Sequence, residues 1–313
     1  MNEVRFLDES SAINGARREE VLGALRTAFL GLLDGTSVQP AQSVTVFPED
    51  AGDCIFYPGA LLANDVVGVK VSPYLGALAS QGKYPVTAYT LLLSTKTGQP
   101  TLLCGSYALT ASRTAGTTAL AVDYLAPRTG GKLSIIGSSK LAVEHYKYAK
   151  LVRQWESISL YSPSLATNRE RQESWIALSD GEVSFAPDAQ TAVDGASVVM
   201  LCTSSGTPVV DLSWCASDAL VTSISTNSPG AHEISPQDLP SLRVFCDYRE
   251  TAPVTAGEMK IAIEDGSWRA EQIVGDLPEL AAGLDVSPHA GARKFFRSTG
   301  LGVEDLAIAS LLV

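Results

Sequence analysis

The spacing of apolar residues divides the chain into three stretches. Between 14 and 34, Val21, Leu22, Leu25, Phe29 and Leu32 recur at helical intervals and Gly35 follows as a stop, which predicts an amphipathic helix. From about 40 to 105 the rhythm becomes strand-like. "SVTVF", "DVVGVKVSPY", "VTAYTLLLST" and "PTLLCGS" are bounded by Pro, Gly or Asp turns, and "STKTGQPTLLC" reads as a hairpin with Lys96, Thr97 and Gly98 at its tip. Residues 110–126 predict a helix rich in Ala, Thr and Gly, able to let another backbone come close.

From 132 onward strand and helix alternate. "KLSIIG", "SISLYS", "VSFA", "SVVMLCTS", "DALVTSIS" and "LRVFCDY" are strands, and 140–153, 165–178 and 188–196 are helices. Such alternation predicts a parallel sheet covered on both faces. The tail, 292–313, reads as a short loop and a final apolar helix. The predicted fold class is α/β: a Rossmann-type nucleotide-binding domain over 113–290, plus an α+β antiparallel-sheet domain made from both chain ends, 1–112 and 291–313.

Composition narrows the function. A net charge of −11 and the lack of a basic stripe argue against nucleic acid. No apolar run reaches membrane-spanning length, and the first ten residues lack the pattern of a signal peptide, so a cytoplasmic protein is expected. The five cysteines form no C-x-x-C pair and are expected to be reduced and buried; the three histidines have no metal-ligand spacing, and no metal is predicted.

The chemistry begins at "KLSIIGSSKLA". Dinucleotide turns place small residues as G-x-G-x-x-G/A after a strand, for the bend, for backbone approach to the pyrophosphate and for helix packing. Gly137 and Ala142 fill the first and third roles, and Ser139 stands in the second. Its hydroxyl offers a phosphate a hydrogen bond, and the helix start offers N–H groups. Ser138, Lys140 and Leu141 complete the turn. At the end of the next strand, Ser162, Pro163 and Ser164 stand where NAD-specific folds carry an acid, and Arg169 and Arg171 follow. Hydroxyls and guanidinium without an acid suit a 2′-phosphate, so NADP(H) is favoured and NAD(H) remains possible; the alternative is that both arginines lie on a solvated helix face.

Several segments together resemble the ornithine cyclodeaminase/mu-crystallin family: "LTASRTAGTTALAVDYLAPR", "LSIIGSSKLAVEHY", "SISTNSPGAHEI", "VFCDYRETAPVTAGEM" and "FFRSTGLGVEDLAIASLL", with looser matches at "QPAQSVTVFPEDAGDCIFYPGAL" and "VVGVKVSPY". The resemblance implies a homodimer whose antiparallel sheets close a barrel, so that the two-ended domain serves substrate binding and dimerisation. It implies that Lys70 and Arg113 face the substrate, with Gln42 and Tyr57 beside them, and that Asp247 is the acid/base. It further implies cofactor contacts at Arg113, Thr114, Thr203, Ser225 and Ser298. A guanidinium fork or an ammonium suits a substrate carboxylate, and a carboxyl group can manage the proton at a C–N carbon.

Two departures from the family matter. Gln42 stands where many relatives have an arginine, and Ile55 near the place of the cyclodeaminase glutamate. Both argue against ornithine as substrate. The expected function is NAD(P)H-dependent hydride transfer at the C–N carbon of a small imine (ketimine) carboxylate or amino acid. The alternatives are an ornithine cyclodeaminase making proline and ammonia, and a non-catalytic protein binding a dinucleotide and an apolar ligand near Phe56, Tyr57 and Tyr74.

Overall fold

The computed structural model describes residues 4–13, 15–82, 86–127, 131–225 and 230–313; Asn14, Arg128 and 226–229 of the segments quoted above lie outside the described residues. The chain divides into two compact units, 1–116 with 300–313, and 117–299. No helix among the described residues is long and apolar enough to cross a membrane.

The first unit is a seven-stranded sheet. Its strands are β1 (Arg5–Leu7), β2 (Ser37–Val38), β3 (Ser43–Val46), β4 (Asp53–Leu61), β5 (Val66–Tyr74), β6 (Tyr89–Ser94) and β7 (Pro100–Gly105), in the order β1-β7-β6-β5-β4-β2, with β3 also on β4. All pairs are antiparallel except β1 with β7. The expected antiparallel sheet is thus a mixed one. Three residues at its edge add a parallel partner, too short a run to show periodicity. The hairpin between β6 and β7 turns at Gly98, whose φ is +68°.

The helix Gly302–Ser310 brings the chain's end back onto this sheet, packing on β4, β5, β6 and the helix Arg18–Asp34. Its approach to β4 is close enough to require glycine: a Cβ on Gly302 would lie 2.0 Å from the Pro58 carbonyl oxygen. Gln39 Oε1 accepts a hydrogen bond from the Val303 N–H at 3.0 Å, satisfying one of the free donors at the helix start. Likewise, the Glu9 carboxylate accepts from the N–H groups of Tyr107 and Ala108, where the helix Tyr107–Leu125 begins.

The second unit is an eight-stranded sheet in which every pairing is parallel. Its strands are β8 (Lys132–Ile136), β9 (Ser157–Tyr161), β10 (Val183–Phe185), β11 (Ala196–Leu201), β12 (Leu220–Ser223), β13 (Arg243–Cys246), β14 (Ile273–Asp276) and β15 (Lys294–Arg297). The order is β10-β9-β8-β11-β12-β15-β13-β14. The first five strands follow the mononucleotide-binding arrangement, with its switch point beside β8. Within the tail read as a short loop before the final helix, residues 294–297 instead form β15, inserted between β12 and β13. All four of its residues are buried, Lys294 and Arg297 included, so it shows no alternation and carries two charges that mimic a surface segment. The helices Ala252–Thr255 and Gly257–Glu264 and strand β14 add to the predicted set, and the 165–178 helix starts later, at Arg169, capped by the Asn168 side chain.

Candidate active site

In the first unit, strand register places Lys70 directly across from Tyr57. Both residues project from the face on which the C-terminal helix packs, and Lys70 Nζ lies 4.1 Å from the Tyr57 ring centroid. Lys70 Nζ also sits 3.0 Å from Asp305 Oδ2. Arg113 donates from Nε to Asp305 Oδ1 at 3.0 Å and from a terminal nitrogen to Glu304 Oε2 at 2.8 Å. All four charged side chains are at least 95% buried. Gly300, at φ +80°, leaves room for the guanidinium, because a Cβ there would lie 2.5 Å from an Arg113 nitrogen.

Two cations and two anions make this cluster neutral, and so tolerable out of water. Burial lowers the Lys70 pKa to about 8 against the pull of Asp305. Burial also opposes the Arg113 charge, but Asp305 and Glu304 outweigh it and hold that pKa above its ordinary value. Tyr57 is pushed up to about 12, chiefly by burial, and stays a neutral hydroxyl. The cluster therefore keeps a guanidinium permanently charged beside an ammonium whose pKa burial lowers to about 8. An incoming carboxylate adds one negative charge to a balanced set, for which a fixed fork and an aromatic-stacked ammonium are suited partners. The structure brings Lys70, Arg113 and Tyr57 together. Gln42 is half-buried with no hydrogen bond recorded to any of them, and Thr114 turns its hydroxyl to the Thr110 carbonyl of its own helix at 2.8 Å. Glu304 and Asp305 were missed. Two adjacent acids inside the apolar run "GVEDLAIASLL" were the available signal, since buried carboxylates need cations.

In the second unit, the turn after β8 explains its own composition. Gly137 has φ +120°, and a Cβ there would lie 2.4 Å from the Cys202 carbonyl oxygen, so only glycine fits. Ser139, by contrast, has φ −73° and ψ 176°, an ordinary extended conformation open to any residue. It is exposed, and its hydroxyl makes no capping bond to the helix Lys140–Val152. Ala142 is fully buried, where the helix meets the sheet. The first-turn N–H groups and the Ser139 hydroxyl thus suit a pyrophosphate, with Lys140 exposed at the rim and Leu141 half-buried.

Beyond β9, Arg171 donates to Ser164 Oγ at 3.1 Å and to Ser138 Oγ at 3.4 Å, and Ser162 Oγ lies 3.1 Å from Ser164 Oγ. Three hydroxyls and one guanidinium therefore gather beside the turn, with Pro163 exposed between the serines. Arg169 is 90% exposed and paired with Glu173, outside this group. Of the two arginines it is Arg171 that meets the serines, because the Asn168 cap fixes where the helix begins.

Asp247 directly follows β13 and is fully buried. It accepts from the Tyr248 N–H at 2.9 Å, from the Thr299 hydroxyl at 3.1 Å and from the Thr299 N–H. Nearby strand ends are tied by Glu233, which accepts from Thr203, Ser223, Ile224 and Ser225 at 2.7–3.1 Å. Arg297 pairs with Glu258 at 2.9 Å and donates to the Ser225 carbonyl at 2.5 Å. Thr203 and Ser225 are held by this mesh, while the buried Ser298 hydroxyl has no hydrogen-bond partner among the described residues. Glu233, Arg297 and Thr299 escaped the sequence reading. A lone acid in "PGAHEIS" was the only local sign of the first.

His145 is packed between the Leu141 carbonyl and the Thr118 hydroxyl, and burial lowers its pKa to about 4, so it is a neutral core residue. All five cysteines are buried and free. No group of His, Cys, Asp and Glu among the described residues is arranged to hold a metal.

Taken separately, the two units define a parallel-sheet dinucleotide fold and a sheet bearing a buried cluster of two cations and two carboxylates. The chain belongs to the ornithine cyclodeaminase/mu-crystallin family, whose model matches residues 5–313. It is 46% identical, over 94% of its length and 92% of the relative's, to the NAD(P)H-dependent anabolic L-arginine dehydrogenase DauB of Pseudomonas aeruginosa. Its fold matches that of the Thermococcus litoralis Δ1-pyrroline-2-carboxylate reductase in complex with NADH and L-proline, with TM-score 0.89, 23% identity and coverage of 98% of this chain and 95% of the other. An archaeal alanine dehydrogenase dimer with bound NAD matches at TM-score 0.90 and 23% identity, covering 99% and 94%.

The Lys70 ammonium is present below a pH of about 8 and lost above it. If it helps hold an anionic substrate, kcat/KM falls as pH rises through that value. In Lys70→Met, kcat/KM should be lower by roughly 10- to 100-fold, the worth of a charged hydrogen bond, and the alkaline fall should vanish. A pH–rate profile of the variant that keeps the same fall would assign it to another group.

Proposed function

We propose that this member of the family, an NAD(P)H-dependent amino-acid dehydrogenase and imine reductase, reduces the α-imino acid of a basic amino acid and prefers NADPH. Hydride from the nicotinamide, when bound, adds to the C=N carbon, and a proton reaches the nitrogen, giving the amino acid and NADP+. The buried Lys70/Arg113/Glu304/Asp305 cluster carries the reading, since it offers a fixed guanidinium and a tunable ammonium to a carboxylate. Kinship at 46% identity with an L-arginine dehydrogenase favours a basic side chain.

Lys70 and Arg113 hold the carboxylate, and Tyr57 lines it with a neutral hydroxyl. Asp247, fixed by Thr299, manages the proton of the substrate nitrogen. Gly137, Ser139 and the helix start at Lys140 receive the pyrophosphate. Ser138, Ser162, Ser164 and Arg171 receive the 2′-phosphate, and no acid stands among them to repel it.

Arg171→Ser should raise the KM for NADPH by roughly 10- to 100-fold while leaving that for NADH within about threefold, from the loss of one charged hydrogen-bonding group. Steady-state reduction of the imine formed from 2-oxo-5-guanidinopentanoate and ammonia measures both. Equal changes for the two coenzymes would remove Arg171 from the phosphate site.

We also propose a homodimer. Val44 and Val46 on β3 are 52% and 74% exposed, an apolar edge suited to a second copy. Sedimentation velocity showing only a 33.0 kDa species at micromolar concentration would contradict it.

A further inference from the structure

Along β4, alternate residues share a face, so Asp53 and Ile55 project on the same side as Tyr57. The register with β5 continues that face through Lys70, Ser72 and Tyr74, which stand across from Tyr57, Ile55 and Asp53 in turn. One end of the row is the carboxylate-binding cluster. The other end is Asp53, half-buried, whose Oδ1 is shielded from water and has no hydrogen-bond partner among the described residues. A shielded carboxylate oxygen without a donor is costly unless a ligand supplies one. Gly52, at φ +125° and against the Tyr74 carbonyl, fixes the turn into β4 and so the place of Asp53 beside Tyr74. The Asp53 charge also reaches along the row, contributing to the raised pKa of Tyr57.

We infer that Asp53 receives the side-chain cation of the substrate, and that a guanidinium lies between Asp53 and the Tyr74 ring. This rests on the reading of Lys70 and Arg113 as the carboxylate site. The span from Tyr57 to Asp53 is four strand residues, about 13 Å between Cα atoms. A guanidino acid is roughly 8 Å long from carboxylate to guanidinium, and the side chains at each end cover the remainder. Between the ends stand Ile55 and Ser72, neither of them charged. Tyr74 is 40% exposed, leaving a ring face for a planar cation. An apolar side chain in the same place would leave the Asp53 oxygen without its donor.

Calorimetry of L-arginine and of L-norleucine binding to the protein saturated with NADP+ tests this. The parent should bind arginine at least about tenfold more tightly, and Asp53→Asn should lose roughly 10- to 100-fold for arginine while norleucine stays within about threefold. Unchanged NADPH affinity and melting temperature establish that the variant folds. If it does not fold, the parent's own preference still decides. Equal affinity of the parent for the two amino acids, or equal losses in the variant, would overturn the assignment. Absence of NADPH-dependent turnover with every imino acid tried, alongside an intact preference for arginine in binding, would instead condemn the proposed reaction and leave Asp53 in place.

Discussion

Burying two cations against two adjacent carboxylates is the constraint on which the first unit depends. Removing any one partner would leave a bare charge in a dry interior, which costs several kcal/mol. Lys70 comes from β5, Arg113 from the helix that follows the sheet, and Glu304 with Asp305 from the last helix of the chain. The two ends of the sequence must therefore meet before the cluster exists. Two glycines make that meeting possible: Gly302 lets the last helix touch β4, and Gly300 makes room for the guanidinium. The guanidinium holds its charge, and the ammonium, its pKa lowered to about 8 by burial, is held mainly by Asp305.

In the second unit the corresponding constraint lies in backbone geometry. The tight turn after β8 demands glycine at one position only, where φ is +120° and the Cys202 carbonyl is close. Ser139 sits in an extended conformation and costs nothing in backbone strain, so the departure from the usual glycine pattern changes the chemistry of the turn more than its shape. The surrounding hydroxyls of Ser138, Ser162 and Ser164, organised by Arg171, extend the polar surface away from the helix start. At the other strand ends, Glu233 and Arg297 bind several backbone groups each and hold the segments carrying Thr203 and Ser225.

Most of this architecture was legible in the sequence because periodicity reports faces. The alternation from β8 to β13 announced the parallel sheet, and Gly137 with Ala142 marked the tight turn after β8. Lys70, Arg113 and Asp247 came from resemblance, since a lysine in a strand or an aspartate at its end has no local signature of function. What stayed hidden was hidden for physical reasons. Strand β15 is buried on both faces and contains Lys294 and Arg297, so neither period nor polarity betrayed it. Glu304 and Asp305 lie inside an apolar helix whose partners are 191 to 235 residues away. Arg169 and Arg171 looked equivalent until the Asn168 cap set the helix phase and brought Arg171, and not Arg169, to the serines.

In the proposed reading the buried pair of Lys70 and Arg113 recognises a carboxylate. Calorimetric titration of the NADP+-saturated protein with L-arginine, and with the amine that remains when its carboxyl group is removed, tests it most directly. Arginine should bind and the decarboxylated amine should bind at least about 100-fold more weakly, the loss expected for two charged hydrogen-bonding partners. Comparable affinity for the two ligands would show that the cluster only braces the fold.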